Sequence, residues 1–205
     1  VDLPFLTCAA ALTAAATSDI IIVRPGDYSG ESALVGENAV NWLFLQAAIG
    51  PAFAVVGAFT FTIEGYQGSY ISNAGTANTV TVNKSIWTGD GASVAPLNIG
   101  SSAIIRVFNS AITSTESGGE VVTIAASASG ALLLSNTSLL ATTVTTNEDT
   151  NGILYGASVT ANVQLKSCTI ITAKDGTGTA KSIDAPSAQT IYVQGSLNQT
   201  HAVDS

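Results

Sequence analysis

The sequence predicts an all-β protein, a solenoid of stacked parallel strands closed at its N-terminal end by a short capping helix. Three observations carry this. First, five segments read as one strand written five times: Val82-Asn-Lys-Ser-Ile-Trp87, Val107-Phe-Asn-Ser-Ala-Ile112, Leu134-Ser-Asn-Thr-Ser-Leu139, Leu165-Lys-Ser-Cys-Thr-Ile170 and Val193-Gln-Gly-Ser-Leu-Asn198. Their starts are 25, 27, 31 and 28 residues apart, the spacing of a repeat array with loops of variable length. Each opens on a branched apolar residue and carries a small Ser, Thr or Cys three places on. Four close on a large apolar residue, while the last has Asn198 there. Second, another apolar column follows at a similar offset: Leu97-Asn-Ile99, Val122-Thr-Ile124, Ile153-Leu-Tyr155 and, most weakly, Ile183. Such a unit cannot bury its apolar face alone, so neighbours must stack on it as parallel strands. Third, the N-terminal end has a helix pattern where a stack of this kind needs a cover for its first core layer and strand edges.

The elements follow in order. Thr7 to Ala16 is rich in alanine, with Leu6, Ala9, Leu12 and Ala16 near one helical face, which fits a short amphipathic cap. Asp19-Ile-Ile-Ile-Val-Arg-Pro-Gly-Asp-Tyr28 then gives four β-branched residues for a buried strand, and Pro25-Gly26 for a turn. Ala39 to Phe59 holds no charged residue over 21 positions, long enough to span a bilayer. Asn41, Gln46 and the Gly50-Pro51 break argue instead for early turns of the coil, and strand alternation resumes at Thr60-Phe-Thr-Ile63. No basic region precedes the first apolar stretch, so a signal peptide is not evident. The whole reads as one domain over 1–205, with 1–18 the cap, 19–198 the rungs and 199–205 a C-terminal tail.

Within the stack, successive apolar starts form aliphatic ladders about 4.8 Å apart. Asn109 and Asn136 share a column and are expected to stack at a bend, amide to amide, in a structural role. Cys168 takes the small-residue position beside Ser110 and Thr137, so both it and Cys8 are expected as free buried thiols. Asn83-Lys-Ser85, Asn136-Thr-Ser138 and Asn198-Gln-Thr200 match the glycosylation pattern, but two of them fall inside strands of a Ser/Thr-rich chain and carry little weight.

Composition limits function. Apolar residues make up 46% and charged residues 10%, far below the roughly 25% of ordinary soluble domains. Wide neutral surface of this kind is usually a contact surface, which points to long faces buried in an oligomer. The formal net charge of −8 disfavours nucleic acid, since no Lys/Arg cluster is present to neutralise phosphates. The one close basic set, Lys166, Lys174 and Lys181, is diluted by Asp175 and Asp184.

The order of Ala-rich helix, Ile-Ile-Val strand and Arg24-Pro-Gly-Asp-Tyr28 resembles the opening rung of the pectin-lyase-like right-handed parallel β-helix superfamily. The resemblance covers about the first 30 residues directly and the five-fold repeat more loosely. It implies the right-handed parallel β-helix fold. Its members include polysaccharide lyases and hydrolases, phage tailspikes, adhesins and virion decoration proteins, among which the fold does not choose.

The ordered polar signal is an acidic edge: Asp90, Glu116 with Glu120, Glu148 with Asp149, and Asp175, each eight to fifteen residues after its strand start. Three readings fit. One is a pair of carboxylates about 5 to 9.5 Å apart for glycoside hydrolysis. Another is a set of oxygen ligands for calcium. The third is plain turn chemistry in Gly89-Asp-Gly91, Glu116-Ser-Gly-Gly119, Asn147-Glu-Asp-Thr-Asn151 and Asp175-Gly-Thr-Gly178, and this one weighs most. Lyases that the resemblance brings in use Arg or Lys with acids on the strand face. Here only Arg24 and Arg106 qualify, and neither has an evident acidic cluster. His201 lies near the end of the sequence, and no phosphate loop, metal-spaced His/Cys set or Ser-His-Asp pattern occurs. Trp87 closes its strand where Ile112 and Leu139 close theirs, so it reads as core or interface rather than a sugar platform.

These readings converge on about six or seven rungs, no catalytic set, no cofactor and no bound metal. The expected protein is a non-enzymatic homotrimer on the exterior of a phage capsid, a decoration (cement) protein or short spike contacting the major capsid protein or another virion protein. The alternative is a glycan-binding or polysaccharide-degrading β-helix acting on a host surface glycan. An ice-binding or adhesive Thr face is the third reading. It is weakened because Thr60-Phe-Thr62, Thr79-Val-Thr81 and Thr142-Thr-Val-Thr-Thr146 do not recur in every rung.

Overall fold

The computed structural model describes residues 5–35, 39–75, 78–89, 95–115, 119–142, 149–175, 178–185 and 189–204. It contains one helix, Cys8–Ala14 (α1), followed among the described residues by strands. Every strand pairing among the described residues is parallel, so the architecture is mostly β, in parallel sheets.

Apart from the short pair Gly26–Asp27 and Ala48–Ile49, the strands fall into three columns. The first holds Ile20–Val23, Asn41–Phe44, Thr60–Glu64, Thr79–Asn83, Ile104–Phe108 and Ala131–Ser135 in spatial order. The second holds Gln67–Gly68, Ile86–Thr88, Ala111–Ser114 and Ser138–Thr142. The 14-residue strands Asn162–Asp175 and Ile191–Asp204 run through both columns and join them into one sheet. A seven-stranded sheet makes the third column: Leu34–Val35, Phe53–Val55, Ile71–Asn73, Leu97–Ile99, Val122–Ile124, Thr150–Tyr155 and Ala180–Asp184. The chain thus visits the three columns in turn and returns to the first, beside its previous pass.

The repeat read from the sequence is the register of the sheet. Ile63, Val82, Val107, Leu134, Leu165 and Val193 are partners in succession. So are Trp87, Ile112, Leu139 and Ile170, and in the third column Leu97, Val122, Ile153 and Ile183. Alternate residues face inward, giving buried and part-buried positions in turn, as in Thr79–Asn83. The interior is aromatic in its first layers, where Trp42, Phe44, Phe53, Tyr66 and Trp87 pack with centroids 5.3 to 6.3 Å apart, and mainly aliphatic beyond them, with Tyr155 as an aromatic exception. Trp87 is core, 1% exposed, and its Nε1 donates to the Pro96 carbonyl at 2.9 Å.

The bend between the first two columns explains the small residues. Lys84, Asn109, Asn136 and Ser167 all take the left-handed conformation (φ 49° to 51°), as do Gly65 and Gly195. That conformation costs most L residues about 1–2 kcal/mol, and Asn least among them, hence Asn in two of these places. The next residue turns inward and repairs the broken ladder. Ser85, Ser110 and Thr137 donate hydroxyls to the carbonyls of Asn83, Phe108 and Ser135 at 2.9, 2.7 and 3.0 Å. Ser85 and Ser110 also accept from the amides of Tyr66 and Ser85 at 3.0 and 3.1 Å. In the same place, the Cys168 thiol lies 3.4 Å from the carbonyl oxygens of Leu134 and Lys166. Cys8 and Cys168 are both free and buried.

Four expectations need correcting, the first being the buried strand at Ile20–Val23, of which Ile20 and Ile22 are 65% and 58% exposed. The register shifts in the last repeat, where Gly195-Ser196 stand against Ser167 alone. Leu197, not Ser196, therefore faces Cys168, and Gln199, not Asn198, faces Ile170. The strand also continues to Asp204, through the span 199–204 read as a tail. Finally, the helix is shorter than Thr7 to Ala16 and its covering face is partly other than expected: Leu12 packs on the core as expected, Cys8 joins it buried, and Leu6 is instead 91% exposed. Thr7 and Glu31 fix that start. Thr7 Oγ1 accepts from the Ala10 amide at 3.1 Å, and the Glu31 carboxylate accepts from the Cys8 and Ala9 amides at 3.0 and 3.1 Å. The uncharged span 39–59 forms strands, and among the described residues no helix is long and apolar enough to cross a membrane.

Candidate functional site

Of the acidic edge, Asp90, Glu116 and Glu148 lie outside the described residues, and so does the Asp175 side chain. Glu120 and Asp149 come to the same edge: Asp149 directly precedes Thr150–Tyr155, Glu120 lies two residues before Val122–Ile124, and those two strands pair. Asp149 Oδ1 accepts from the Thr179 amide at 2.8 Å and from the Thr179 hydroxyl, tying one repeat to the next. Those two hydrogen bonds hold its carboxyl below the usual range. An acid held ionised in this way, at the surface, serves poorly as a proton donor to a leaving group. Glu120 is half-buried beside Val121, whose amide donates to the Asn151 carbonyl at 3.1 Å.

Arg24 and Arg106 are exposed, and neither has an ion pair among the described residues. Arg106 is an exposed, outward position of Ile104–Phe108. The backbone of His201 lies in the last strand, paired with Thr172.

The structure adds two surface features. At the bend, the Asn109–Asn136 stack expected from the sequence is present and gains a third member. Asn136 Nδ2 donates to Asn109 Oδ1 at 3.3 Å, and Asn109 Nδ2 to Asn83 Oδ1 at 3.1 Å. Asn83 precedes the left-handed position by one residue, which is why a column alignment of the sequence left it out. A groove of about 420 Å³ runs along these amides, with Thr62, Thr81, Phe108 and Ser135 among its walls. At its rim Lys84 Nζ pairs with Glu64 Oε1 at 2.8 Å.

The second feature is the outer face of the second column. Register places Gln67, Ile86, Ala111, Ser138, Thr169 and Asn198 in one outward row, and Thr88, Thr113, Leu140, Ile171 and Thr200 in the next. No residue of either row is charged. Ile86, Leu140 and Ile171 are 60%, 36% and 37% exposed. The first column instead carries Glu64, Arg106 and Lys166 on its outer side. The uncharged side of a chain of net charge −8 is where a second molecule meets it at least electrostatic cost.

Against known proteins, no family model, no curated protein and no solved structure matches this chain.

Proposed function

We propose that the chain is a right-handed parallel β-helix of the pectin-lyase-like kind that works as a non-enzymatic structural protein of a bacteriophage virion. In this reading it is a homotrimeric decoration protein or short spike on the capsid exterior, contacting the major capsid protein or another virion protein. The observation that carries the reading is the uncharged outer face of the second column, with its three exposed aliphatic residues. Burying one such face per chain around a threefold axis removes Ile86, Leu140 and Ile171 from water and brings no like charges together. Right-handedness is supported by the rule that parallel crossovers are right-handed in about 98% of cases. The virion is supported by the resemblance of the opening repeat and by an acidic edge on which Asp149 ties one repeat to the next.

Light scattering on the purified chain tests the oligomer. The expected mass is three times 20.6 kDa or a multiple of it, falling when Ile86→Lys places a charge on the face. A particle built on other symmetry, or an Ile86→Lys variant of unchanged mass, overturns the proposed face. Cosedimentation with capsids then tests the partner.

A second reading, glycan binding, is favoured by one observation. The amide groove beside Phe108 offers donors, acceptors and an aromatic face to a sugar. Binding on a glycan array that Asn109→Ala abolishes would favour this reading, and release of reducing sugar would favour hydrolysis.

A further inference from the structure

The uncharged outer face of the second column lies between margins of opposite sign. Each strand of that column starts at the bend after the first column and ends where the chain leaves for the third. Lys84 stands at the bend itself, in its left-handed position, and Lys166 one residue before the equivalent Ser167. Arg106 lies two residues before Phe108, which shares a row with Lys166. All three cations are exposed. Glu64 is the one acid in that row, and it is already paired with Lys84 at 2.8 Å. Arg106 and Lys166 therefore meet solvent with no ion pair among the described residues.

The opposite margin is acidic. The connections 89–96, 115–121 and 143–149 run from second-column to third-column strands and contain no Lys or Arg. Of their acids Glu120 and Asp149 are described, the first half-buried and the second exposed. Lys174 and Lys181, which follow on this side, are engaged within the chain: Lys174 Nζ donates to the Gly178 carbonyl, and Lys181 Nζ pairs with Asp184 Oδ1 at 2.9 Å.

We propose that copies of the chain pack through this face in parallel, all running the same way, with the basic margin of each against the acidic margin of the next. The inference rests on the lateral contact proposed above and adds its direction. Two copies that face each other in parallel set the bend side of one against the connection side of the other. Inverting one copy sets bend against bend, so that Arg106 and Lys166 meet their own counterparts, and Glu120 and Asp149 meet theirs. Like charges across a contact suppress that arrangement, and opposite charges favour the other. Heights agree as well. In copies related by rotation alone, Arg106 and the partner's Glu120 belong to the same repeat, and Lys166 lies one repeat, about 4.8 Å, beyond the partner's Asp149. A second copy is the occupant that charge selects, because one chain carries both halves of the complementary pair, on either side of a face without charge. A contact between unlike margins also closes into a ring, whereas the inverted contact joins like surfaces and stops at two copies.

Charge reversal reads the direction separately from the face. Light scattering on the wild type tests the face first: a chain that stays monomeric at every concentration overturns both the lateral contact and its direction. In the oligomer, Lys166→Glu should weaken assembly about tenfold at low ionic strength and less at high salt, with circular dichroism unchanged. Asp149→Lys should weaken it likewise, and Glu120→Lys replaces that variant if it does not fold. Lys166→Glu combined with Asp149→Lys exchanges the charges at every contact and should recover assembly to within about threefold of wild type. Single variants that assemble like wild type, or a double variant no better than the weaker single, overturn the parallel packing and leave the face standing. Spin labels at Gln67→Cys give an independent reading, since Cys8 and Cys168 are buried. Parallel copies hold the labels at one height, whereas inversion about the middle of the face sets them five repeats, about 24 Å, apart along the stack. A separation of that length overturns the parallel sense.

Discussion

The first and the last described strands of this stack are of the same kind and differ in what packs on their outer side. At the first strand α1 packs beside Ile20–Val23, leaving Ile20 and Ile22 65% and 58% exposed, and it is fastened by side chains: Thr7 and Glu31 bind its first amides, while Asp19 Oδ2 accepts from the Ala16 amide at 2.8 Å just past its end. At the last, Ile191–Asp204 has no such neighbour on its outer side among the described residues. Identical ladder positions thus differ from 0% to 50% exposed. What a side chain contributes is set by the layer above it as much as by its own column, and a repeat array makes that contrast measurable at a constant residue type.

The largest test is to place the same charge at two points of one ladder. Leu134→Asp should abolish folding, since an unpaired carboxylate would enter a layer closed on both sides and cost several kcal/mol. Val193→Asp, at a half-exposed position, should give a soluble chain with the wild-type circular dichroism spectrum. The milder pair keeps the order: Leu134→Ala should cost about 2–5 kcal/mol in urea unfolding and Val193→Ala well under half of that. Equal losses at the two positions would mean that the last layer is covered after all.

Alkaline titration separates the ends by pH. Burial, with a smaller contribution from Glu31, pushes the Cys8 thiol up from 9.0 to about 12. Burial likewise raises Tyr155 from 10.0 to about 12. Both groups keep their protons longer in the folded state than in the unfolded one. Their contribution is therefore complete below pH 9 and is lost as pH rises toward 12. The urea midpoint should fall across that window, and Cys8→Ser should make the fall shallower; a slope unchanged by this substitution would remove Cys8 as a cause.

Smaller effects probe the fastenings. Glu31→Ala should cost about 1–2 kcal/mol by leaving two helix amides unpaired. It should also speed labelling of Cys8 by a thiol reagent while Cys168 stays protected, which a uniform loss of stability would not do. At the bend, Asn109→Ala should cost about 1 kcal/mol and Asn109→Gly less, because glycine adopts the left-handed conformation freely. Asp149→Asn should be the smallest, about 0.5 kcal/mol or less, as expected for an exposed carboxylate.

Much of this was legible from residue order. Val82, Val107, Leu134, Leu165 and Val193 share a column because inward positions of a stacked strand admit little besides branched apolar side chains, and that demand is local. The small residues at Ser85, Ser110, Thr137 and Cys168 were visible for the same reason. The edge of Glu120 and Asp149 was legible as a pattern of loops, but its chemistry was not. Asp149 binds Thr179, thirty positions away, and nothing near either residue announces it.

By itself the sequence determined the strand period, the inward ladders, the bend and the need for an N-terminal cover, since each follows from which side chains water excludes and which backbone angles they allow. Only the tertiary structure decided the rest. It set the shift at Gly195-Ser196, the carboxylate of Glu31 on α1, the third amide of Asn83, the uncharged outer face of the second column and the exposure of Val193. All of these depend on which segments become neighbours after the chain has passed through three columns, a relation between residues twenty to thirty positions apart that one-dimensional patterning does not encode.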